Sequence, residues 1–394
     1  MRTHDKDQPV ELKGMTLQEL EEFATALGQP RYRGRQIAHW IYQRGATSFA
    51  EMMDLPAVLR ARLAEEARVT SLAPVTEVTA DGGDTRKFLL RLADDATIES
   101  VFMRYEDGRR SVCISTQVGC GMGCTFCATG LAGLTRNLTP AEIIDQVILV
   151  QRLTGERVTN VVFMGMGEPL ANYEATVRAV RLLNVRWSLG IGMRHLTVST
   201  VGLVPQIRRL AHEQLQLTLA VSLHAPTDEL RTQLVPINQK WPVADLLDAS
   251  REYVQLTGRR LSFEYVLMEG VNDSPELAAL LGDLLLKRVG DVGTPRPLDL
   301  ARGRPGSGQA GQAWHVNLIP WNPVYGLQYR RPGKERVEAF SQELRSRGVP
   351  ATVRLERGVE IDAACGQLQR TRLAAPGTRE RGNADSIKVV GQRS

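Results

Sequence analysis

The sequence predicts an α/β protein whose largest part is a partial, TIM-like (β/α)6 barrel. Six apolar segments rich in β-branched residues alternate with helical stretches between Ser111 and Pro320, as in a parallel sheet. This alternation is compatible with either a barrel or a doubly wound fold. We favour the barrel because residues of the kinds found in active sites follow the predicted strands, at the end where barrels bind ligands.

The predicted barrel occupies residues 111–372. Its strands are SVCISTQ, VTNVVFMG, HLTVST, LTLAVSL, LSFEYVLM and AWHVNLIP. Helical spacing marks the intervening stretches, among them AEIIDQVILVQRLTG, TVRAVRLLNV and VADLLDASREYVQLTG. Residues 290–312 are rich in Gly, Pro and Arg and are interpreted as a surface insertion before the sixth strand. The polar tail, residues 373–394, is predicted to be disordered.

Two smaller units are predicted before the barrel. Residues 1–70 contain the helical stretches LQELEEFATALG, RYRGRQIAHWIYQRG and PAVLRARLAEEA, which indicate a small accessory domain. In residues 71–110 the pattern changes to period two, in KFLLRL and TIESVFMRY, so a short β extension is expected. The second helical stretch is crowded with arginines, which form either a solvated helix face or contacts to nucleic-acid phosphates. They are Arg31, Arg33, Arg35 and Arg44.

Composition narrows the class of protein. Of 394 residues, 43% are hydrophobic and 24% charged, so a sizeable core is expected. The longest apolar runs are far too short to cross a bilayer and the N-terminus shows no signal segment, so a cytoplasmic protein without a membrane partner is expected. Lys and Arg number 49 against 44 Asp and Glu, which permits a polyanionic partner without establishing one. Nothing in the sequence demands more than a monomer.

Four of the five cysteines are clustered within fifteen residues, and the fifth lies far downstream. A disulfide framework is not expected without a secretion signal. The spacing C-x3-C-x2-C in VGCGMGCTFCATG offers three thiolates from one loop, which Gly119, Gly121 and Gly123 would allow to wrap a compact group. Such a loop fits a [4Fe–4S] cluster with one open iron. The alternative is a zinc site with a distant fourth ligand. The cysteines are Cys113, Cys120, Cys124, Cys127 and Cys365.

This loop, with Phe126 before its last cysteine, resembles the signature of the radical S-adenosylmethionine (SAM) superfamily. The resemblance implies that Cys120, Cys124 and Cys127 bind a [4Fe–4S] cluster whose open iron binds SAM. It implies that an electron from the cluster cleaves SAM to methionine and a 5′-deoxyadenosyl radical. It also implies a partial (β/α)6 barrel, in agreement with the alternation of elements.

A closer resemblance covers most of the chain. The segments TIESVFM, CISTQVGCGMGCTFCATG, GMGEPL, VSTVGL, VSLHAP, NLIPWNP and IDAACGQL resemble RlmN, the family of RNA (adenine carbon-2) methyltransferases, and HWIYQRG resembles that family's N-terminal domain. The insertion and the last twenty or so residues fall outside it. The implied substrates are an adenosine of 23S rRNA in the peptidyl transferase centre and one beside the anticodon of some tRNAs. An electron donor such as a flavodoxin or ferredoxin system is also implied.

The same resemblance assigns SAM contacts along the barrel. One of them falls on Thr200, with Ser199 as the alternative, because the family has a Ser in the third strand and STVG offers both residues. The implied contacts are Glu168, Pro169, Thr200, Ser222, Leu223, His224 and Asn322.

Three further residues are assigned to the reaction by the resemblance. Carbon-2 of adenine is not nucleophilic, so polar displacement from SAM cannot methylate it, and a radical route is needed. Two SAM molecules are implied per turnover: one methylates Cys365, and cleavage of the second leads to a methylene radical on Cys365 that adds to carbon-2. Cys113 then attacks the Cys365 sulfur and leaves a transient disulfide. Glu99 is the implied proton acceptor, with Cys113 as the alternative.

Two rival functions stay open at this point. A relative that methylates adenine carbon-8 would share the cysteine machinery, although the long N-terminal unit favours carbon-2. A zinc-binding, non-enzymatic RNA-interaction protein would leave the GMGEPL, VSLHAP and NLIPWNP segments unexplained. For either RNA enzyme, Arg296, Arg302 and Arg304 of the insertion are further candidate phosphate contacts.

Overall fold

The computed structural model describes residues 9–69, 72–290, 292, 313–354, 357–364, 366–368 and 388–389. Most of the predicted insertion, with its three arginines, lies outside the described residues. So does Cys365, although residues on both sides of it are described. Of the predicted tail only Lys388–Val389 is described, and it forms a two-residue strand rather than coil.

The described residues form eleven α-helices and fifteen strands, named in chain order. The helices are α1 Leu17–Ala26, α2 Tyr32–Ala38, α3 Ala57–Glu66, α4 Ala128–Leu131, α5 Pro140–Thr154, α6 Tyr173–Asn184, α7 Val204–Ala211, α8 Asp228–Leu234, α9 Val243–Thr257, α10 Pro275–Val289 and α11 Lys334–Ser346. The strands are β1 Val10–Glu11, β2 Ala67–Arg68, β3 Leu72–Ala80, β4 Thr85–Leu92, β5 Thr97–Arg104, β6 Arg110–Cys113, β7 Gln117–Gly119, β8 Leu134–Asn137, β9 Asn160–Phe163, β10 Leu196–Thr200, β11 Thr218–Ser222, β12 Leu261–Leu267, β13 Trp314–Pro320, β14 Ala351–Val353 and β15 Lys388–Val389.

One sheet of eleven strands organises the fold, in the order β14-β13-β12-β11-β10-β9-β6-β5-β4-β3-β15. From β6 to β14 every neighbouring pair is parallel. Among the described residues the two edges of the sheet are β14 and β15, so the barrel is open. The predicted partial (β/α)6 barrel is therefore confirmed, and β14 adds a parallel strand that the sequence did not predict.

Burial and helix capping explain where the strands and helices of the barrel form. All seven residues of β12 are buried, as expected of a parallel strand covered on both faces. Thr139 caps the start of helix α5 and forms a capping box with Glu142. Gly155, in the left-handed conformation, caps its end. The predicted first strand is shorter than expected, because SVCISTQ divides between β6 and β7. This break lets the chain leave the barrel wall where the cysteine loop begins.

The antiparallel strands β3, β4 and β5 extend the barrel sheet, because β5 pairs with β6. This pairing places Val101 opposite Cys113. Directly opposed residues have side chains on the same face, and so do alternate residues of a strand. Glu99 therefore lies on the same face of the sheet as Cys113.

The N-terminal unit packs directly against the barrel. Lys13 and Asp145 of α5 form an ion pair in which each side chain is 1% exposed. The Tyr42 hydroxyl donates to the carbonyl of Met15. The rings of Tyr42 and Trp187 pack edge to face, with their centroids 5.4 Å apart. A single hydrophobic core continues from these helices through the sheet. The division of the chain into three units stays a prediction.

The second predicted helix is interrupted. RYRGRQIAHWIYQRG forms α2 and then a π-helical segment, His39–Gln43.

Within the described part of the chain, no helix combines the length and apolar composition needed to span a membrane.

Candidate functional site

A pocket opens at the carboxyl ends of the parallel strands, where the sequence placed the site. It encloses about 960 Å³ of empty space, including the part open to solvent. The predicted residues that line it are Cys120, Cys124, Cys127, Glu168, Thr200, Ser222, His224 and Asn322, together with the alternative Ser199.

The cysteine loop is held by a short hairpin of β7 and β8. The backbone N–H of Cys120 donates to the carbonyl of Gly133 at 2.9 Å. Gly119 has φ +78°, and a Cβ there would lie 1.9 Å from that same carbonyl oxygen, so only glycine fits. Gly123 also has positive φ, whereas Gly121 does not and has ordinary space around its Cα. Contacts within the protein thus require glycine at position 119, and the expectation that Gly121 allows the loop to wrap a compact group stays a prediction.

Two of the three thiols of the loop, those of Cys120 and Cys124, are buried, and Cys127 is half-buried. Burial raises the pKa of Cys120 to about 12 and raises the pKa of Cys124 as well, so both are neutral thiols at neutral pH. Metal ligation requires thiolates, so assembly of a metal group would release these protons. No three His, Cys, Asp or Glu side chains among the described residues converge on a single ion position. A four-iron cluster bonds each cysteine to a different iron and does not need such convergence.

Glu168 faces the cysteines from the turn after β9. Its carboxylate accepts hydrogen bonds from the backbone N–H groups of Val201 at 2.8 Å and Leu170 at 2.9 Å. Burial nevertheless raises the pKa of Glu168 to about 7. A cationic ligand group nearby would favour the ionised carboxylate, so this residue is suited to bind an ammonium group.

Ser199 and Thr200 both reach the pocket but have different partners. The Ser199 hydroxyl donates to the carbonyl of Phe163 at 2.7 Å. Thr200 Oγ1 accepts from the backbone N–H of Gly202 at 3.1 Å, and its side chain is hydrogen-bonded to Glu168. Because both line the pocket, the position of the SAM contact between them stays a prediction.

His224 follows β11 in the left-handed backbone region, with φ +61°. Its Nδ1 accepts from the backbone N–H of Val266 at 3.1 Å, and its ring packs edge-on against Phe126 at 4.9 Å. Burial, together with the charge of Arg231, lowers the pKa of His224 to about 3. The ring is therefore neutral, and its proton resides on Nε2 because Nδ1 is an acceptor.

Arg231 of α8 is a site-forming residue that sequence reasoning missed. It is fully buried and donates to the carbonyls of Val201 at 2.6 Å, Ser222 at 2.9 Å and Leu223 at 3.0 Å, and to Asn238 Oδ1 at 2.8 Å. It thus fixes the chain just beyond β10 and β11. A buried arginine has no signature in sequence, because arginine is usually exposed.

Glu264 of β12 was also missed. Its Oε1 accepts from the Ser262 hydroxyl at 2.7 Å and from the Asn317 amide at 3.0 Å. Its Oε2 is buried and has no hydrogen-bond partner among the described residues. Because Glu264 lines the pocket, this oxygen calls for an occupant that carries a hydrogen-bond donor.

Pro169 and Leu223 are buried but do not line the pocket. The carbonyl of Pro169 accepts from the Thr176 hydroxyl at 2.9 Å. Leu223 donates its N–H to the carbonyl of Glu264 at 3.0 Å. Both shape the wall through the backbone.

A second, smaller pocket adjoins the first and shares Asn322 and Arg354 with it. Cys113, at the end of β6, lines this second pocket together with Ala364, whereas Gly366 lines the first pocket. Of the two neighbours of Cys365 in the chain, Ala364 thus lines the second pocket and Gly366 lines the first.

Hydrogen bonds tie the segment around Cys365 to the cysteine loop. The N–H of Ala128 donates to the carbonyl of Gly366 at 2.9 Å, and the Thr129 hydroxyl donates to the carbonyl of Leu368. Two parts of the chain that are far apart in sequence therefore meet at the pocket.

Glu99 lines neither pocket. It is 3% exposed and forms an ion pair with Lys87, whose Nζ lies 3.2 Å from its Oε1. The same Nζ donates to the carbonyl of Asp362 at 3.2 Å. Lys87 thus joins Glu99 to the segment that leads into Cys365.

Three arginines of the second helical stretch form hydrogen bonds within the N-terminal unit. Arg31 and Arg35 each lie 2.6 Å from a carboxylate oxygen of Glu21, and their side chains remain 69% and 67% exposed. Their hydrogen bonds hold the pKa of Glu21 below its usual value. Arg33 donates to Gln36 at 2.7 Å. The sequence did not predict that one buried glutamate would order two of these arginines.

Comparisons with known proteins agree with this geometry. Residues 114–281 match the radical SAM superfamily, and residues 10–69 match the ribosomal RNA large subunit methyltransferase N-terminal domain. The chain is 50% identical over 361 residues to a probable dual-specificity RNA methyltransferase RlmN of Symbiobacterium thermophilum, covering 91% of each chain. It is 47% identical over 402 residues to the protein of the same name from Roseiflexus castenholzii, covering 92% of this chain and 97% of that one.

A solved structure is similar over the same length. The crystal structure of a radical SAM methyltransferase from Sphaerobacter thermophilus superposes with a TM-score of 0.82 at 50% identity, covering 91% of this chain and 99% of that chain.

Proposed function

Because the chain belongs to the RlmN family of radical SAM RNA methyltransferases, we propose that it methylates carbon-2 of adenosine in 23S rRNA and in some tRNAs. The observation that carries this proposal is the meeting of the cysteine loop with the segment around Cys365, through Ala128 and Gly366. A radical source and a methyl-carrying cysteine have to lie side by side in such a reaction.

The cofactors we propose are one [4Fe–4S] cluster and SAM. Cys120, Cys124 and Cys127 would hold the cluster, since all three line the pocket. The unpartnered Oε2 of Glu264 fits a ligand with hydrogen-bond donors, which SAM possesses. When bound, these groups supply the electron that cleaves SAM and the resulting 5′-deoxyadenosyl radical.

The pocket walls would orient SAM by its polar groups. Glu168, with its pKa raised to about 7, is suited to the amino group, whose positive charge would hold the carboxylate ionised. His224 presents a neutral ring, and hydrogen-bonding groups are offered by Ser222 at the end of β11 and by Asn322, two residues beyond β13. Thr200 would act beside Glu168, to which it is hydrogen-bonded. Pro169 and Leu223 would contribute through their backbone positions.

Three residues would handle the methyl group and the proton. Cys365 carries the methyl group and forms the covalent bond to RNA. Cys113 lines a pocket with Ala364, the neighbour of Cys365, and is therefore suited to attack the Cys365 sulfur and release the product. Glu99, buried on the same face of the sheet as Cys113, would accept the proton from carbon-2.

The partners we propose follow from this reaction. The substrates are rRNA and tRNA, whose target base has to be unstacked to enter the pocket. An electron donor such as a flavodoxin or ferredoxin would reduce the cluster. We also propose a monomer that works in the cytoplasm, where these RNAs reside.

The position of the methyl group tests the proposal. Reconstituted protein, supplied with reductant, SAM and unmethylated 23S rRNA, is expected to yield 2-methyladenosine in a nuclease digest analysed by mass spectrometry. The C365A variant is the control and should yield none. Formation of 8-methyladenosine would assign the carbon-8 activity instead, and no methylated adenosine would contradict both.

Three arginines of the second helical stretch, the exposed Arg31 and Arg35 and the half-buried Arg33, are expected to contact RNA phosphates. Replacing Arg31, Arg33 and Arg35 together by glutamine should weaken RNA binding and flatten its salt dependence, because each lost phosphate contact lowers the slope by about 0.7–0.9. Filter binding between low and moderate salt measures this slope. The matched control is Arg62→Gln, an exposed arginine paired with Glu66 on α3. An unchanged slope in the triple variant would refute the contact.

A further inference from the structure

The loop after β13, residues 323–334, has an unusual surface. Tyr325 is 100% exposed, although large aromatic side chains are normally at least half-buried. Arg330 is exposed on the same loop, and Lys334, the first residue of α11, is exposed where the loop ends. The sequence PVYGLQYRRPGK contains no acidic residue, and its three cations lie in its second half. An exposed aromatic ring together with cations on one surface is the combination that binds single-stranded nucleic acid.

The loop begins at the wall of the candidate site. Asn322, the residue before it, lines both pockets. The Trp321 indole N–H donates to the carbonyl of Phe126 in the cysteine loop at 3.1 Å. The Gln367 amide donates to the carbonyl of Pro323 at 2.9 Å. Tyr325 therefore follows a pocket-lining residue by only three positions in the chain.

The loop is anchored, so the position of Tyr325 is set by the fold. Tyr329 packs against Trp321 with ring centroids 5.9 Å apart and shares a hydrogen bond of 2.7 Å with the Thr125 hydroxyl. The N–H of Leu327 donates to the carbonyl of Val324 at 3.1 Å, which closes a turn around Tyr325 and Gly326. Gly326 has φ +83°, as the third residue of a type II turn requires. Such a turn presents Tyr325 outward.

Apolar exposure continues on the other loop at this end of the barrel. Leu131 and Leu134, which follow the three cysteines, are 57% and 49% exposed. Their loop contacts the β13 loop through Thr125 and Phe126. Exposed apolar side chains therefore occur close in sequence to the cysteine loop, and exposed cations occur on the β13 loop.

We propose that residues 323–334 form a docking surface for the unpaired nucleotides of an RNA substrate next to the target adenosine. Tyr325 stacks on one base, and Arg330 and Lys334 contact the adjoining phosphates. This inference rests on the proposed RNA methylation. It names the surface by which the RNA is held while one base enters the pocket. The occupant is single-stranded RNA because a duplex keeps its bases stacked and unavailable to the ring.

Binding of a labelled single-stranded RNA of about 12 nucleotides, within the usual site size of single-strand binding modules, tests the proposal. The mixed-sequence probe contains a central adenosine, and fluorescence anisotropy gives its Kd. Y325A is expected to weaken binding about 5- to 150-fold, the effect of losing one base–aromatic stack. Y325F keeps the ring and should bind as the unchanged protein does. L280A removes an exposed side chain from α10, far from the loop in sequence, and should also bind normally.

The charged residues of the loop have a separate readout. R330Q combined with K334Q is expected to lower the slope of log Kd against log salt by about 1.4, or ~0.7 for each phosphate contact of a single strand. Melting temperatures equal to that of the unchanged protein establish that the variants are folded.

The outcomes separate this inference from the proposed function. If Y325A binds the probe as tightly as the unchanged protein, or if Y325F loses as much affinity as Y325A, the stacking surface is refuted. If the unchanged protein makes no 2-methyladenosine while Y325A still loses affinity, the proposed function fails and the docking surface stands.

Discussion

Replacement of Cys113 by alanine is expected to leave RNA covalently bound to the protein through Cys365. In the proposed reaction the Cys113 thiolate attacks the Cys365 sulfur, a disulfide forms, and the bond between that sulfur and the RNA-linked carbon breaks. The electron pair of this bond leaves with the carbon, which takes up a proton and becomes the methyl group. Without the Cys113 sulfur this release has no nucleophile, and the adduct accumulates.

The fold makes this variant informative. Cys113 is 8% exposed and lines the second pocket with Ala363, Ala364 and Leu368, which surround Cys365 in sequence. Alanine is close to cysteine in size, so little packing is lost. A denaturing gel of the reaction should show a slowly migrating species that ribonuclease removes. The double variant C113A/C365A should not form it. Free methylated RNA in normal yield from C113A would remove Cys113 from the reaction.

Replacement of Cys124 by alanine is expected to abolish iron binding. The three thiols of the loop are the proposed ligands, each to a different iron, so the loss of one leaves the cluster with two protein ligands. Protein purified without oxygen should contain about four irons per chain, and C124A close to none. Far-ultraviolet circular dichroism should stay the same, because the side chain that is removed is small.

Cys113→Ala is the matched cysteine control for the iron measurement. Cys113 lies on β6, outside the loop, and lines only the second pocket, so its variant should retain the iron. Iron analysis and visible absorption spectra measure the difference. One zinc and no iron in the unchanged protein would contradict the cluster and favour the zinc alternative. Retention of four irons by C124A would show that another side chain is the ligand.

The strands and helices of the barrel followed from local pattern. Runs such as the centre of LTLAVS and all of LSFEYVL are buried on both faces, and this double burial is typical of a parallel strand covered on both sides. β14, with three residues, was too short to give a periodic signal. The break within SVCISTQ was missed because both halves are equally buried and apolar runs do not record where a strand leaves its sheet.

The proposed cluster ligands were inferred from the sequence itself. Cys120, Cys124 and Cys127 lie within eight residues, so the chain between them can place the sulfurs close together whatever the rest of the fold does. The glycines around them were a less secure inference. Gly119 is required by a contact with Gly133, a residue fourteen positions away, whereas the role of Gly121 in wrapping a compact group stays a prediction.

The remainder of the site was decided by tertiary structure. Arg231 and Glu264 carry no motif, and their roles come from meeting carbonyls and amides of other strands. Likewise, local sequence patterns do not show that Cys113 lies near the segment around Cys365, because that segment is some 250 positions downstream. Spacing along the chain fixes geometry only over a few residues. Beyond that, the sheet order and the burial of polar groups fix it, and both arise only when the whole barrel packs.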